Sequence, residues 1–70
     1  MIQRFSEKLR TLRERHGWSQ RQLADQLGFT RAFVVHLESG RKKPHAELLL
    51  KIANLFGVTV DQLVRDEQDV

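Results

Sequence analysis

Residues 19–44 read SQRQLADQLGFTRAFVVHLESGRKKP, and this stretch decides the fold. Apolar residues at the helical period predict a first helix from about Gln20 to Leu27. The connection is only Gly28-Phe29-Thr30, and a second helix begins at Arg31. Two helices joined by a three- or four-residue turn that contains glycine form a helix-turn-helix, in which the first helix braces the second.

The two adjacent valines of the second helix cannot face the same core, because successive helical residues point about 100° apart. One side of this helix collects large apolar residues and is predicted to face the core: Phe33, Val34 and Leu37, with Glu38 beside them. The opposite side collects small, polar and basic residues and is predicted to face outward: Arg31, Ala32, Val35, His36 and Ser39. Val35 is therefore the exposed valine.

An outward face of this composition suits the major groove of DNA, which admits one α-helix. Arginine suits the edge of guanine, alanine and valine suit the methyl group of thymine, and histidine can reach a base edge or a phosphate. A groove contact would give Val35 a function that a solvated helix face would not. Phe33 has two open readings, as a residue packed beneath this helix or as a contact to a sugar and a thymine methyl.

Helix boundaries are marked along the rest of the chain. Each glycine follows a segment with helical periodicity, where it tolerates a left-handed conformation: Gly17, Gly28, Gly40 and Gly57. Ser19 with Gln22 and Thr59 with Gln62 have the spacing of capping boxes, and Thr30 can cap the helix that begins after it. The pattern predicts an all-α chain, a compact bundle of five short helices.

The core residues are predicted from the same period. The apolar stripes comprise Phe5, Leu9, Leu12, His16, Leu23, Ala24, Leu27, Leu48, Leu49, Ile52, Ala53, Leu55, Phe56, Leu63 and Val64. Trp18 and Phe29 are assigned to hydrophobic staples and to the core. The basic residues of the first helix, Arg4, Lys8, Arg10 and Arg15, are assigned mainly to solvent.

Size and charge limit the functions that the chain can have. Its 70 residues predict a single domain, 1–70, with a folded part at about 5–64 and a frayed acidic tail at 65–70. Residues 1–43 hold ten Lys/Arg against four Asp/Glu, a net +6, whereas residues 44–70 hold two against five, a net −3. A basic half favours an anionic partner.

Several classes of function are not expected. The three histidines lack metal-ligand spacing and there is no cysteine, so we expect neither a metal nor another cofactor. The acidic residues near the C-terminus lie outside any predicted cleft, so we expect no enzyme. There is no long apolar run and no signal-peptide pattern, so we expect a cytoplasmic protein that does not contact membranes.

The sequence resembles the phage-repressor and Cro-like helix-turn-helix family, often called the XRE family. The matching residues are Ser19, Gln20, Leu23, Ala24, Leu27, Gly28, Val34, Leu37, Glu38, Gly40 and Pro44. Residues 48–64, LLLKIANLFGVTVDQLV, are similar to the fourth and fifth helices of that family. The resemblance runs from about Phe5 to Val64 and implies DNA binding.

The resemblance also implies roles for individual residues. The base-reading positions of the family fall on Arg31, Ala32, Val35 and His36. Its positions at or near the DNA backbone fall on Gln20, Thr30, Ser39, Arg41, Lys42 and Lys43. The family often pairs an arginine of the first helix with the glutamate that ends the third, here Arg13 and Glu38. The chain departs from the family at Val35 and His36, and at His45, where a better helix cap is usual.

These observations predict a sequence-specific, double-stranded DNA-binding transcriptional regulator of bacterial or phage type. One recognition helix reads few base pairs, so we expect a homodimer on a near-palindromic operator. The dimer would use the fourth and fifth helices, where Val58, Val60 and Val64 could form an apolar patch. Two alternatives stay open at this point: an antitoxin that binds both its operator and a toxin protein, and a protein-interaction module that does not bind DNA.

Overall fold

The computed structural model describes residues 4–70, which form five α-helices: α1 Phe5–Arg15, α2 Gln20–Leu27, α3 Arg31–Ser39, α4 Ala46–Phe56 and α5 Val60–Val64. The all-α, five-helix prediction is confirmed, including both ends of α2 and the start of α3. Residues 1–3 of the predicted domain lie outside the described part. Helix α3 packs against α2 and α1, while α5 packs against α4 and α1.

The predicted apolar stripes form one core at the centre of the bundle. Its buried members come from all five helices, and six of them have no exposed surface: Leu9, Leu23, Leu27, Val34, Leu37 and Ile52. Full burial of such a side chain contributes about 1.5–3 kcal/mol, so these contacts account for most of the attraction between the helices. Leu55, Phe56 and Val64 lie at the edge of this core and are half-buried.

The helix starts are made by the predicted caps. The Ser19 hydroxyl accepts a hydrogen bond from the Gln22 backbone N–H at 3.1 Å, and the Gln22 side chain accepts one from the Ser19 N–H at 2.8 Å. Thr59 and Gln62 repeat this capping box at the start of α5. His45 also acts as a cap, since its Nδ1 accepts from the Leu48 N–H at 3.2 Å at the start of α4.

Two aromatic residues differ from the predicted core. Phe29 is 37% exposed and its ring packs on Phe33, with centroids 4.7 Å apart, so its assignment to the core is wrong. His16 lies one residue beyond α1 and is exposed, although its ring centroid lies 4.9 Å from that of Trp18, in a tilted contact, and 4.9 Å from that of Phe56, edge-to-face. His16 lies past the last turn of α1, where the helical period no longer predicts direction. Phe29 lies in the turn just before the cap of α3 and packs on Phe33 instead of entering the core.

The assignment of Lys8 to solvent is wrong. Its side chain is 1% exposed, and the ammonium donates to the carbonyl oxygens of Gln62 and Arg65 at the end of α5. A buried ammonium is tolerated only when hydrogen-bond acceptors replace its water. These two acceptors, at the C-terminal end of a helix, supply that replacement and tie α5 to α1.

The acidic tail is ordered against α1, so the prediction that it frays is wrong. The Asp66 carboxylate accepts from the Arg4 backbone N–H at 3.0 Å, and Asp69 accepts from the Arg4 guanidinium at 3.1 Å. The hydrogen bond to Asp69, followed in importance by the one to Glu7, raises the pKa of Arg4. Arg15 donates to the carbonyl oxygen of Val70 at 2.7 Å. The acidic end therefore neutralises basic residues of α1 that we assigned to solvent.

Candidate nucleic-acid interface

One side of α3 lies on the surface of the bundle, and its composition is the predicted one. Val34 and Leu37 have no exposed surface and Glu38 is 3% exposed, so they form the inner side. Arg31, Ala32 and Ser39 are exposed, whereas Val35 and His36 are half-buried. The two adjacent valines thus face different environments, and Val35 presents part of its side chain to the outside.

A buried ion pair fixes α3 against α1. The Arg13 guanidinium donates to both carboxylate oxygens of Glu38, from Nε at 2.7 Å and from Nη2 at 3.1 Å. Its Nη1 donates to the carbonyl oxygen of Trp18 at 2.8 Å, just before α2. The hydrogen bond to Glu38 raises the pKa of Arg13. One guanidinium therefore links α1, the approach to α2 and the end of α3.

Two further side chains complete this cluster. Gln20, the first residue of α2, donates from Nε2 to Glu38 Oε1 at 3.3 Å. Arg10 donates to the Glu38 backbone carbonyl at 3.0 Å, which makes Arg10 a contact to α3 and not a freely solvated charge. The Glu38 carboxylate thus holds the side-chain amide nitrogen of Gln20 at the N-terminus of α2.

The other predicted backbone-contact residues lie at both ends of α3. The Thr30 hydroxyl oxygen accepts from the Phe33 N–H at 3.2 Å and caps the start of the helix. The Ser39 hydroxyl donates to the His36 carbonyl at 3.1 Å, so its proton is used within the helix. Thr30 keeps its hydroxyl proton for a ligand, because the cap uses only its oxygen.

The basic loop after α3 begins at a left-handed glycine. Gly40 has φ +83° and ends the helix. The backbone N–H groups of Arg41 and Lys42 both donate to the His36 carbonyl, at 3.0 and 3.2 Å, which holds the loop against the end of α3. The side chains of Arg41, Lys42 and Lys43 are exposed. Three positive charges therefore lie at one end of the outward face.

Two lysines flank the exposed aromatic pair. Lys42 Nζ lies 5.5 Å from the centroid of the Phe33 ring, and Lys51 Nζ lies 5.7 Å from the centroid of the Phe29 ring. Phe33 is half-buried and packs against the core, which agrees with the first reading of this residue, whereas its contact to a sugar and a thymine methyl stays a prediction. Lys51 comes from α4, and nothing in its local sequence pointed to this position.

The described residues offer neither a metal site nor a membrane span. Between Arg4 and Val70, no three His, Cys, Asp or Glu side chains are grouped so that they could hold a metal ion. The longest helices within these residues have 11 residues each, about half of what a bilayer crossing needs.

Known proteins are similar to this chain in sequence. The model of the helix-turn-helix family matches residues 9–63. The transcriptional activator BcrR of Enterococcus faecalis is 41% identical over 64 residues, which cover 91% of this chain and 31% of BcrR. An HTH-type transcriptional regulator of Methanocaldococcus jannaschii is 36% identical over 65 residues, 93% of this chain and 98% of that protein.

Solved structures share the fold. A transcriptional regulator from Listeria innocua superposes with a TM-score of 0.82 at 35% identity, over 94% of this chain and 62% of that one. The P22 c2 repressor, solved in complex with a synthetic operator, superposes with a TM-score of 0.83 at 22% identity, over 93% and 98% of the two chains. At that identity, the likeness to the P22 protein shows the fold alone.

Several relatives are much longer than this chain. The chain spans less than a third of BcrR and 56% of two regulators of Bacillus subtilis. The relatives and structures described above are named as regulators, an activator or a repressor. None of these is named as an antitoxin, so the toxin-binding alternative gains no support from them.

Proposed function

Because the chain belongs to the helix-turn-helix family of transcriptional regulators, we propose that it binds double-stranded DNA at a specific sequence and regulates transcription in the cytoplasm. The observation that carries this proposal is the outward side of α3, which combines an exposed arginine with small and apolar residues on a rigidly held helix. That combination suits base edges in the major groove.

The side chains of this surface divide into two roles. Arg31, Ala32, Val35 and His36 read bases, because they lie along the outward side of α3. The side chains near its ends contact the DNA backbone: Gln20, Thr30, Ser39, Arg41, Lys42 and Lys43. Contacts to phosphate supply affinity and salt dependence, whereas contacts to bases supply selectivity.

The ion pair of Arg13 and Glu38 supports this division without contacting DNA. It holds α3, and with Gln20 it holds the N-terminus of α2, in one fixed relation. A recognition helix discriminates between bases only when its position in the groove is fixed, because donors and acceptors must align within a few tenths of an ångström.

We propose that the active form is a homodimer on a near-palindromic operator. One helix reads only a few base pairs, and two copies whose recognition helices are about 34 Å apart read two half-sites. The surface for pairing lies along α4 and α5, where Val58, Val60 and Val64 are half-buried at the edge of the core and keep some apolar surface outside.

Selection from a randomised duplex pool at two salt concentrations tests the function. We expect recovery of a near-palindrome whose affinity falls steeply with salt, together with a dimer of the protein on the selected duplex in sedimentation. Weak binding that ignores sequence would contradict the proposal and would favour the protein-interaction module. A specific site without symmetry would contradict only the dimer.

A further inference from the structure

The exposed aromatic pair and the two lysines beside it form a small continuous surface, here called the platform and defined as Phe29, Phe33, Lys42 and Lys51. The two rings are 4.7 Å apart at a tilt of 38°. Lys42 Nζ lies 5.5 Å from the Phe33 centroid and Lys51 Nζ lies 5.7 Å from the Phe29 centroid, so each ring has one positive charge beside it. Phe29 is 37% exposed, so part of its ring is accessible to a partner.

The platform adjoins the outward side of α3 and is continuous with the proposed interface. At 100° per residue, Phe33 is about 60° from His36 around the helix axis, so it borders one edge of the outward side. Glu38 borders the other edge. Lys42 belongs to the basic loop after α3. Lys51 approaches the turn between α2 and α3 from α4, since its Nζ would lie 3.7 Å from a Cβ built on Gly28.

This position would place the platform against one wall of the major groove. When the outward side of α3 faces the bases, a surface at its edge faces the sugar-phosphate strand that borders the groove. The outermost atoms of bases near that strand include thymine methyl groups, which are apolar. A pair of apolar rings with one cation beside each ring therefore suits a sugar and a methyl group with phosphates next to them.

We propose that the platform is a specificity-determining contact of the DNA interface: Phe33 and Phe29 pack against one thymine methyl and its deoxyribose, and Lys42 and Lys51 bind the flanking phosphates. This inference rests on the proposed function and adds to it one base preference and a phosphate contact from α4. An acidic protein segment could also match two lysines around an apolar centre. The continuity with the recognition helix favours DNA.

The first test changes the DNA and leaves the protein intact. A duplex recovered from the randomised pool is prepared with each thymine replaced, one at a time, by deoxyuridine, which lacks only the methyl group. We expect one replacement at the edge of a half-site to weaken binding about fourfold, the equivalent of one buried methyl group. Phe33→Ala and, separately, Phe29→Ser should bind the thymine and deoxyuridine duplexes equally at that position.

Two controls identify the contact. Leu50→Ala removes an exposed large apolar side chain on α4 and should keep the fourfold difference. If Phe33→Ala still distinguishes thymine from deoxyuridine at another position of the duplex, that methyl group contacts Val35 or Ala32. The thermal unfolding transition of each variant shows whether it folds. If Phe33→Ala does not fold, Phe29→Ser still tests the contact.

The second test concerns Lys51. Lys51→Gln should reduce the slope of log affinity against log salt by about one unit, as the loss of one phosphate contact does. Arg65→Gln makes the same change of charge at the far end of α5, where the side chain lies 3.7 Å from Asp61. It should leave the slope unchanged, which separates a local contact from an effect of net charge.

The outcomes distinguish this inference from the proposed function. A specific duplex with a steep salt slope, but no methyl effect that the Phe33 and Phe29 variants abolish, overturns the platform contact and leaves the function intact. An unchanged salt slope in Lys51→Gln overturns the α4 phosphate contact. Binding that ignores sequence overturns both proposals together.

Discussion

Arg31 carries the clearest single-residue expectation. It is exposed at the first turn of α3, where its guanidinium is open to a ligand. Arg31→Ala should weaken binding to the selected duplex by about 1–3 kcal/mol and should relax the preference for one base, if the contact is a bidentate pair with guanine. Affinities for the duplex and its single-base variants measure this.

Lys42→Ala is the matched comparison for Arg31→Ala, because it removes one positive charge from the other end of the same surface. A phosphate contact weakens binding to all sequences alike and reduces the salt slope by about one unit. Equal losses across sequences in both variants would contradict the division into base-reading and backbone residues.

Glu38 has the largest expected effect on stability. Its carboxylate is 2% exposed and accepts from Arg13, which is 13% exposed, and from Gln20. Glu38→Ala leaves a nearly buried guanidinium without its counter-charge, so the free energy of unfolding should fall by about 3–5 kcal/mol. Urea titration measures this value. The control is Glu67→Ala, because Glu67 is an exposed acidic residue of the tail, and its free energy of unfolding should stay within about 0.5 kcal/mol of the parent value.

At the scale of the elements, short capping motifs set the helix limits. Ser19 and Gln22 exchange two hydrogen bonds at the start of α2, and Gly40 takes φ +83° at the end of α3. Such motifs involve residues within about five positions of each other, so they form in nearly the same way whatever the rest of the chain does. This is why the sequence was enough to predict the limits of α2 and the start of α3.

The capping box of α2 should contribute measurably to the free energy of unfolding. Ser19→Ala removes the acceptor for the Gln22 N–H and should lower the free energy of unfolding by about 1 kcal/mol, whereas Ser19→Gly should cost only a few tenths. Ser39→Ala is the control, because Ser39 is exposed inside the last turn of α3 and alanine is the better helix former there. Equal destabilisation by Ser19→Ala and Ser39→Ala would show that the cap contributes nothing.

At the scale of the whole molecule, the two ends of the chain are joined through Lys8. Its ammonium bonds to Gln62 and Arg65, 54 and 57 positions away, next to the pairing of Arg4 with the acidic tail. The net +6 of residues 1–43 is thereby partly compensated on α1, while the loop at Arg41–Lys43 stays exposed. Exposed positive charges therefore remain at one end of the proposed interface.

Lys8→Met tests this connection. Methionine keeps the apolar stem but leaves the two carbonyls at the end of α5 without a donor, so the free energy of unfolding should fall by about 1–3 kcal/mol. Hydrogen exchange at the backbone amides of Arg65 and Gln68 should accelerate as the tail loosens. Lys43→Met, at an exposed loop position, should change neither quantity; a similar loss there would point to net charge as the cause.

The sequence by itself determined the five helices, the caps of α2, α3 and α5, and the different directions of Val34 and Val35. These features depend on period and on neighbours within one helical turn. The pairing of Arg13 with Glu38 came from the family resemblance. Only the tertiary structure decided that Lys8 is buried, that the tail is held by Arg4, that Phe29 is exposed and that Lys51 lies beside it. Each of these depends on which group a long side chain meets on another element, and at separations such as the 62 positions between Arg4 and Asp66 no local pattern specifies that meeting.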